Sequence, residues 1–178
     1  VHRTVLHHVE EIFMGMVGYL VALPESKLAE LRADEDLVEE FLFADDGDSE
    51  PEHSIDLDKA WHGIHYLLTS EPEGGPEPLS LAVIGGEEFG PEIGYGPPRF
   101  LTSAQVQSIA EALKPLGRTE VAARFDPQDM ERKEIYPDVI WTRDGDDALD
   151  YVLENYEVLR DHYLDAAARG DAMVQLLA

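Results

Sequence analysis

The chain has 178 residues, 44% apolar and 8% aromatic, enough for one domain with its own core. It carries 13 Lys and Arg against 38 Asp and Glu, a formal net charge of −25, and no cysteine. These counts exclude a disulfide framework and a thiolate metal centre, and they speak against nucleic acid or an anionic membrane as partner, because both are bound by cations set against phosphate.

In chain order, residues 1–13 ("VHRTVLHHVEEIF") read as an N-terminal extension, upstream sequence brought in by an early start, ahead of a domain over 14–178. The alternative is a genuine turn of helix, since Val5, Leu6, Val9, Ile12 and Phe13 fall at helical spacing. The run from Met14 to Leu23 is interrupted by two glycines and is far shorter than the roughly 20 residues of a membrane span; "MVGYLVAL" reads as a strand closed by Pro24. Leu28 and Leu31, then Leu37, Val38, Phe41 and Leu42, predict two short helices. Twelve acids and no Lys or Arg lie between Asp34 and Asp58, and "ADDGDSEPEHS" within that stretch reads as a loop.

From Leu57 the apolar residues Leu57, Ala60, Trp61, Ile64, Leu67 and Leu68 form a full helical stripe. Asp58, His62, His65 and Thr69 form a second stripe on its flank, which places His62 one turn after Asp58 as a pairing partner. Gly63 falls on the side away from the apolar stripe. The run "LSLAVIGG" is too short to divide between strand and helix. Next comes a loop with Gly85, Gly86, Gly90, Gly94 and Gly96 and with Pro91, Pro97 and Pro98, a series of constrained turns rather than a linker.

Thr102 and Gln105 make a capping box, with Leu101 and Val106 as its hydrophobic staple. Val106, Ile109, Ala110 and Leu113 continue the helix to Pro115. "TEVAARF" predicts a short helix and "EIYPDVIW" a strand, with Pro137 pointing to an edge or a bulge. Asp144 or Asp146 is placed to cap a long helix that ends at Gly170, and "AMVQLLA" reads as a last strand. Helices and strands mix without a repeat, which is a single α/β or α+β domain.

The candidate site is Trp61, His65, Tyr95 and Arg99. His65 lies nearest the apolar edge, beside Trp61. It is either a boundary histidine satisfied locally or a half-buried imidazole at a pocket edge, available for proton transfer. Arg99 follows a long stretch without cations and immediately precedes the helix begun at Thr102. It either holds an anion there or pairs with Glu87, Glu88 or Glu92. His62 and His65 lack the glutamate-bearing HExxH pattern, so no metal is expected, and no motif calls for a cofactor.

The blocks "MGMVGYL", "DLDKAWHGIHYLLT", "LAVIGGEE", "IGYGPPRFLT", "EIYPDVIW" and "YLDAAARGDAMV" together resemble the YfbM-like family, from about Met14 onward. The matching residues include Asp58, Lys59, Trp61, His65, Tyr95, Gly96, Pro97, Arg99, Tyr136, Pro137 and Trp141. The resemblance implies a three-layer α/β/α sandwich, here expected around a mixed sheet, in a cytoplasmic bacterial protein. It implies no reaction.

Two expectations of function follow. The first is a binding or interaction module whose acidic surface meets a basic protein, for example a toxin that it neutralises. The second is an enzyme or small-molecule binder that uses His65, Tyr95 and Arg99 in one cleft, with the imidazole as general acid or base and the guanidinium on a small anionic ligand.

Overall fold

A computed structural model of the protein describes residues 15–43 and 50–178; the extension over 1–13 and most of the acidic loop lie outside the described residues. The chain runs β1 (Gly18–Leu23), α1 (Glu25–Ala33), α2 (Leu37–Leu42), β2 (Ser54–Asp56), α3 (Trp61–Thr69), β3 (Glu87–Glu88), β4 (Arg99–Leu101), α4 (Ser103–Leu113), α5 (Arg118–Ala122), α6 (Pro127–Arg132), α7 (Ile140–Asp144), α8 (Asp146–Arg169) and β5 (Ala172–Leu177). Single 3₁₀ turns fall at Asp58–Ala60 and Leu79–Leu81.

The strand order is β2-β1-β5-β4-β3. Every pairing is antiparallel, so the sheet is not the mixed one expected. Each strand is joined to its neighbours without the parallel crossover that a mixed sheet requires. The two longest strands lie side by side at its centre, with Gly18 opposite Leu177 and Leu23 opposite Ala172.

Successive residues of a strand face opposite sides, and the two sides here have separate cores. On one side Leu20, Ala22, Leu101 and Met173 pack with α3, α4 and α8. On the other Val21, Leu23, Phe100, Val174 and Leu176 pack with Leu28 and Leu31 of α1 and Val38 and Leu42 of α2. The result is the expected three-layer α/β/α arrangement in one domain.

The stripe from Leu57 is buried along its whole length, although the helix proper starts at Trp61 after the 3₁₀ turn. Gly63 is a correction. It is buried, and a Cβ there would lie 3.0 Å from Trp141 Cζ2 and from Val152 Cγ2, and nearer still to Trp141 Cη2. Helix α3 therefore packs on both sides, with the indole of Trp141 lying against the glycine.

Asp58 does not pair with His62. Its carboxylate accepts from Tyr151 Oη at 2.8 Å, and its own N–H donates to Asp56 Oδ1 at 2.6 Å. "LSLAVIGG" is neither strand nor helix but a 3₁₀ turn leading into irregular chain. "EIYPDVIW" is not a strand. Pro137 has no N–H to give a ladder, Val139 sits at φ 63°, and Trp141 Nε1 donates back to Ile135 O at 2.7 Å, which folds the segment into a turn ahead of α7. The capping box at Thr102 forms with both of its hydrogen bonds, and Gly170 ends α8 at φ 76°. Helix α8 starts from Gly145 with no side-chain cap. Asp146 and Asp147 occupy its first turn instead, where their charge suits the helix dipole.

Candidate functional site

Three of the four expected residues meet. Trp61 at the start of α3, Tyr95 in the glycine-proline loop and Arg99 at the start of β4 line one cavity of about 430 Å³, bordered also by β5. Its volume lies within the usual range for ligand sites, about 300–1,000 Å³. The fourth, His65, is 0% exposed and is absent from the cavity lining. The imidazole in the wall is His62, one turn before His65 on the same flank of α3.

Trp61 is fixed from several directions. Its Nε1 donates to Met16 O at 2.9 Å, His62 stacks on it at 4.9 Å between ring centres, and Tyr136 stacks at 5.9 Å. His62 is fixed as firmly. Its Nδ1 accepts the Tyr136 N–H at 2.9 Å, so the proton sits on Nε2 and is donated to Pro72 O at 2.8 Å. Burial lowers its pKa, opposed by the Pro72 carbonyl and by Glu73 and Asp138. A neutral ring with both nitrogens spent on backbone has nothing left for proton transfer.

His65 lies behind this wall with neither ring nitrogen hydrogen-bonded. Burial, then the nearby His62, pushes its pKa down to about 4. The Gly74 backbone favours the charged ring in part, without reaching hydrogen-bonding geometry. The half-buried imidazole at a pocket edge is thus a buried neutral one.

Arg99 stands directly opposite Glu88 in the β3–β4 register. Its Nη2 meets Glu88 Oε1 at 2.5 Å, and its Nη1 donates to Gly86 O at 3.2 Å. The sequence left open an anion or an ion pair, and the ion pair is what forms. The N-terminus of α4 is also taken. Ser103 N–H donates to Glu25 Oε1 at 2.5 Å, and Gln105 N–H donates to Thr102 Oγ1 at 3.3 Å.

Tyr95 is 48% exposed at the rim. Its N–H donates to Leu177 O at 3.0 Å, which ties the loop to the end of β5. Gly94, at φ 64°, makes that approach possible: a Cβ there would lie 2.7 Å from both Ala178 Cα and Leu177 O.

Gln175 and Glu73 were not singled out in the sequence, and His62 was read only as a partner for Asp58 and not as part of the site. Gln175 is the one polar side chain inside the apolar run "AMVQLLA", and that was its signal. It is 2% exposed. Its Oε1 accepts from Gly85 N–H at 3.1 Å, and its Nε2 donates to Leu81 O, Ala82 O and Tyr163 Oη at 2.9–3.0 Å. Tyr163 Oη in turn donates to Ala82 O at 2.6 Å. The floor of the cavity is therefore a closed polar network, with every amide atom of Gln175 used. Among the described residues, no group of His, Asp and Glu is arranged to hold a metal.

The fold and cavity define an α/β/α domain with a pocket at one end of its central strands. The chain belongs to the family described as a domain of unknown function, DUF1877, which it matches over residues 14–176. It is 29% identical over 136 residues to Protein YfbM of Escherichia coli (strain K12), covering 74% of this chain and 78% of that protein. It also resembles the crystal structure of YfbM from Escherichia coli, described there as a protein of unknown function. The TM-score is 0.71 at 20% identity, with 91% of this chain and 99% of that one covered. This second likeness is one of fold.

Proposed function

We propose that the protein is a binding module, without catalytic activity, that engages a basic partner. The observation that carries this reading is the cavity's chemistry. Its wall holds no Ser, Thr, Cys or Lys, its imidazole is tied to backbone at both nitrogens, and one of its carboxylates is bound to Arg99. What remains is shape, apolar surface and charge, the means of recognition rather than of bond-making. Charge supports a basic partner. The net charge is −25, and Asp34, Glu35, Asp36, Glu39, Glu40, Glu50 and Glu52 are all exposed. Such a field draws a cationic protein in and raises its association rate.

Calorimetric titration with a hexa-arginine peptide tests the reading. Saturable binding at a single site is expected, weakening from about 0.1 M to about 1 M salt as the screening length falls from about 10 to about 3 Å. No binding at low salt, or many equal weak sites, would count against it. A second reading keeps the cavity but places a small anion on Arg99, favoured by the meeting of Trp61, Tyr95 and Arg99 in one wall. It requires inorganic phosphate or acetate to raise the melting midpoint, and Arg99→Ala to remove that effect.

A further inference from the structure

We infer that the cavity receives one long basic side chain, a lysine or an arginine, presented by the partner. This rests on the reading that the partner is basic, and it names where that partner is read.

The first support is the charge balance of the wall. Arg99 is neutralised by Glu88 at 2.5 Å and is further held by Gly86 O. Glu73 also lines the cavity, is exposed, and forms no ion pair among the described residues. One uncompensated negative charge therefore remains, in a molecule already strongly negative. An anion would have to displace Glu88 from Arg99 and sit near Glu73. A cation meets no such opposition.

The second support is the mixed character of the lining. Val83, Ile84 and Leu177 give it an apolar wall, and the carboxylates give it a polar one. Lysine and arginine join an apolar stem to a charged tip, so they satisfy both surfaces together; an ammonium or guanidinium ion alone would leave the apolar wall wet. The floor makes no further demand, because Gln175 is fully satisfied by Gly85, Leu81, Ala82 and Tyr163.

The third support is Tyr95. Its ring stands at the rim, half exposed, on a backbone fastened to Leu177. A cation within about 6 Å of such a ring face is attracted by its quadrupole, and a fastened backbone loses little freedom on binding.

The test uses fluorescein-labelled hexa-arginine peptide, read by anisotropy at low salt. Glu73→Gln and Tyr95→Ala should each weaken binding by about five-fold or more, the scale of one such contact. The control is the double change Glu39→Gln and Glu40→Gln on α2, which removes two charges from the opposite layer and should have a smaller effect. Both cavity residues are exposed, so melting curves should match the parent. An independent readout in the unaltered protein is the indole N–H resonance of its two tryptophans: on adding peptide, Trp61 should shift and the buried Trp141 should not. If the peptide binds but the cavity variants behave like the control and Trp61 stays still, the basic-partner reading stands and the cavity inference is wrong. If the unaltered protein fails to bind the peptide at all, the reading fails and takes the inference with it.

Discussion

A histidine at 0% exposure with neither ring nitrogen hydrogen-bonded is tolerated only while it is neutral. For His65, burial first and His62 second hold the folded pKa down at about 4, against an unfolded value near 6.5. Between those two values the unfolded chain takes up a proton that the folded chain refuses. Stability is therefore unaffected above about pH 6.5 and is lost as pH falls from there toward about 4. Crossing the whole window costs about 3 kcal/mol at most. His162, also pushed to about 4 by burial and by Arg169, adds to the same loss. His65→Leu should lower the melting midpoint less than the parent between pH 7 and pH 5. Protonation of carboxylates affects both proteins alike, so an equal drop would show that His65 is not the titrating group. Gly63→Ala should destabilise even though alanine is the better helix former. The added methyl meets Trp141 and Val152, which are both fully buried, and overpacking of that kind costs about 1–3 kcal/mol against a helix gain of about 1. A raised midpoint would mean that the indole can move aside.

Helix α4 has the most complete local signal of any element, and its capping box closes through Thr102 and Gln105 as the sequence predicts. Thr102→Ala removes the acceptor for Gln105 N–H and should cost about 1 kcal/mol in chemical denaturation, while Thr102→Ser should restore most of it. Elements with their signal inside a single stretch were legible: β1, α1 to α5, α8 and β5. The short strands take their form from partners far away in the chain, whereas α6 carries a local signal that the reading missed, the Asp126 cap followed by Pro127. Strands β2, β3 and β4 are two or three residues long, too short to carry an alternation; β1 offers β2 an edge, β5 offers one to β4, and β4 in turn to β3. The segment around Tyr136 has strand composition, but Val139 at φ 63° and the Trp141–Ile135 hydrogen bond turn it instead. The candidate site was legible in part for the same reason. A helical wheel placed Trp61 correctly, but it could not show that Trp141 and Val152 cover the far side of α3 at Gly63, nor that His65 is fully buried while His62 stands in the wall. Nor could it choose between an anion and Glu88 for Arg99, which depends on the β3–β4 register.

Over the whole molecule, the exposed acids from Asp34 to Glu40 and from Glu50 to Asp58 repel one another in the folded state. Raising salt from about 0.1 M to about 1 M should raise the melting midpoint by screening that repulsion, and a flat or falling midpoint would show that the acids are already compensated. The order of the sheet has a consequence in time. The central strand, β5, is the last of the five to leave the ribosome, and it alone joins the β2–β1 pair to the β4–β3 pair. Until Ala172–Leu177 is made, the inner edge of β1 has no partner and the two- and three-residue strands β3 and β4 have no long strand to pair against. Final assembly then waits on a contact between residues about 150 positions apart, the slow step in a topology rich in distant pairings. During synthesis the open edge of β1 is exposed to neighbouring chains and to chaperones until β5 enters the gap beside it.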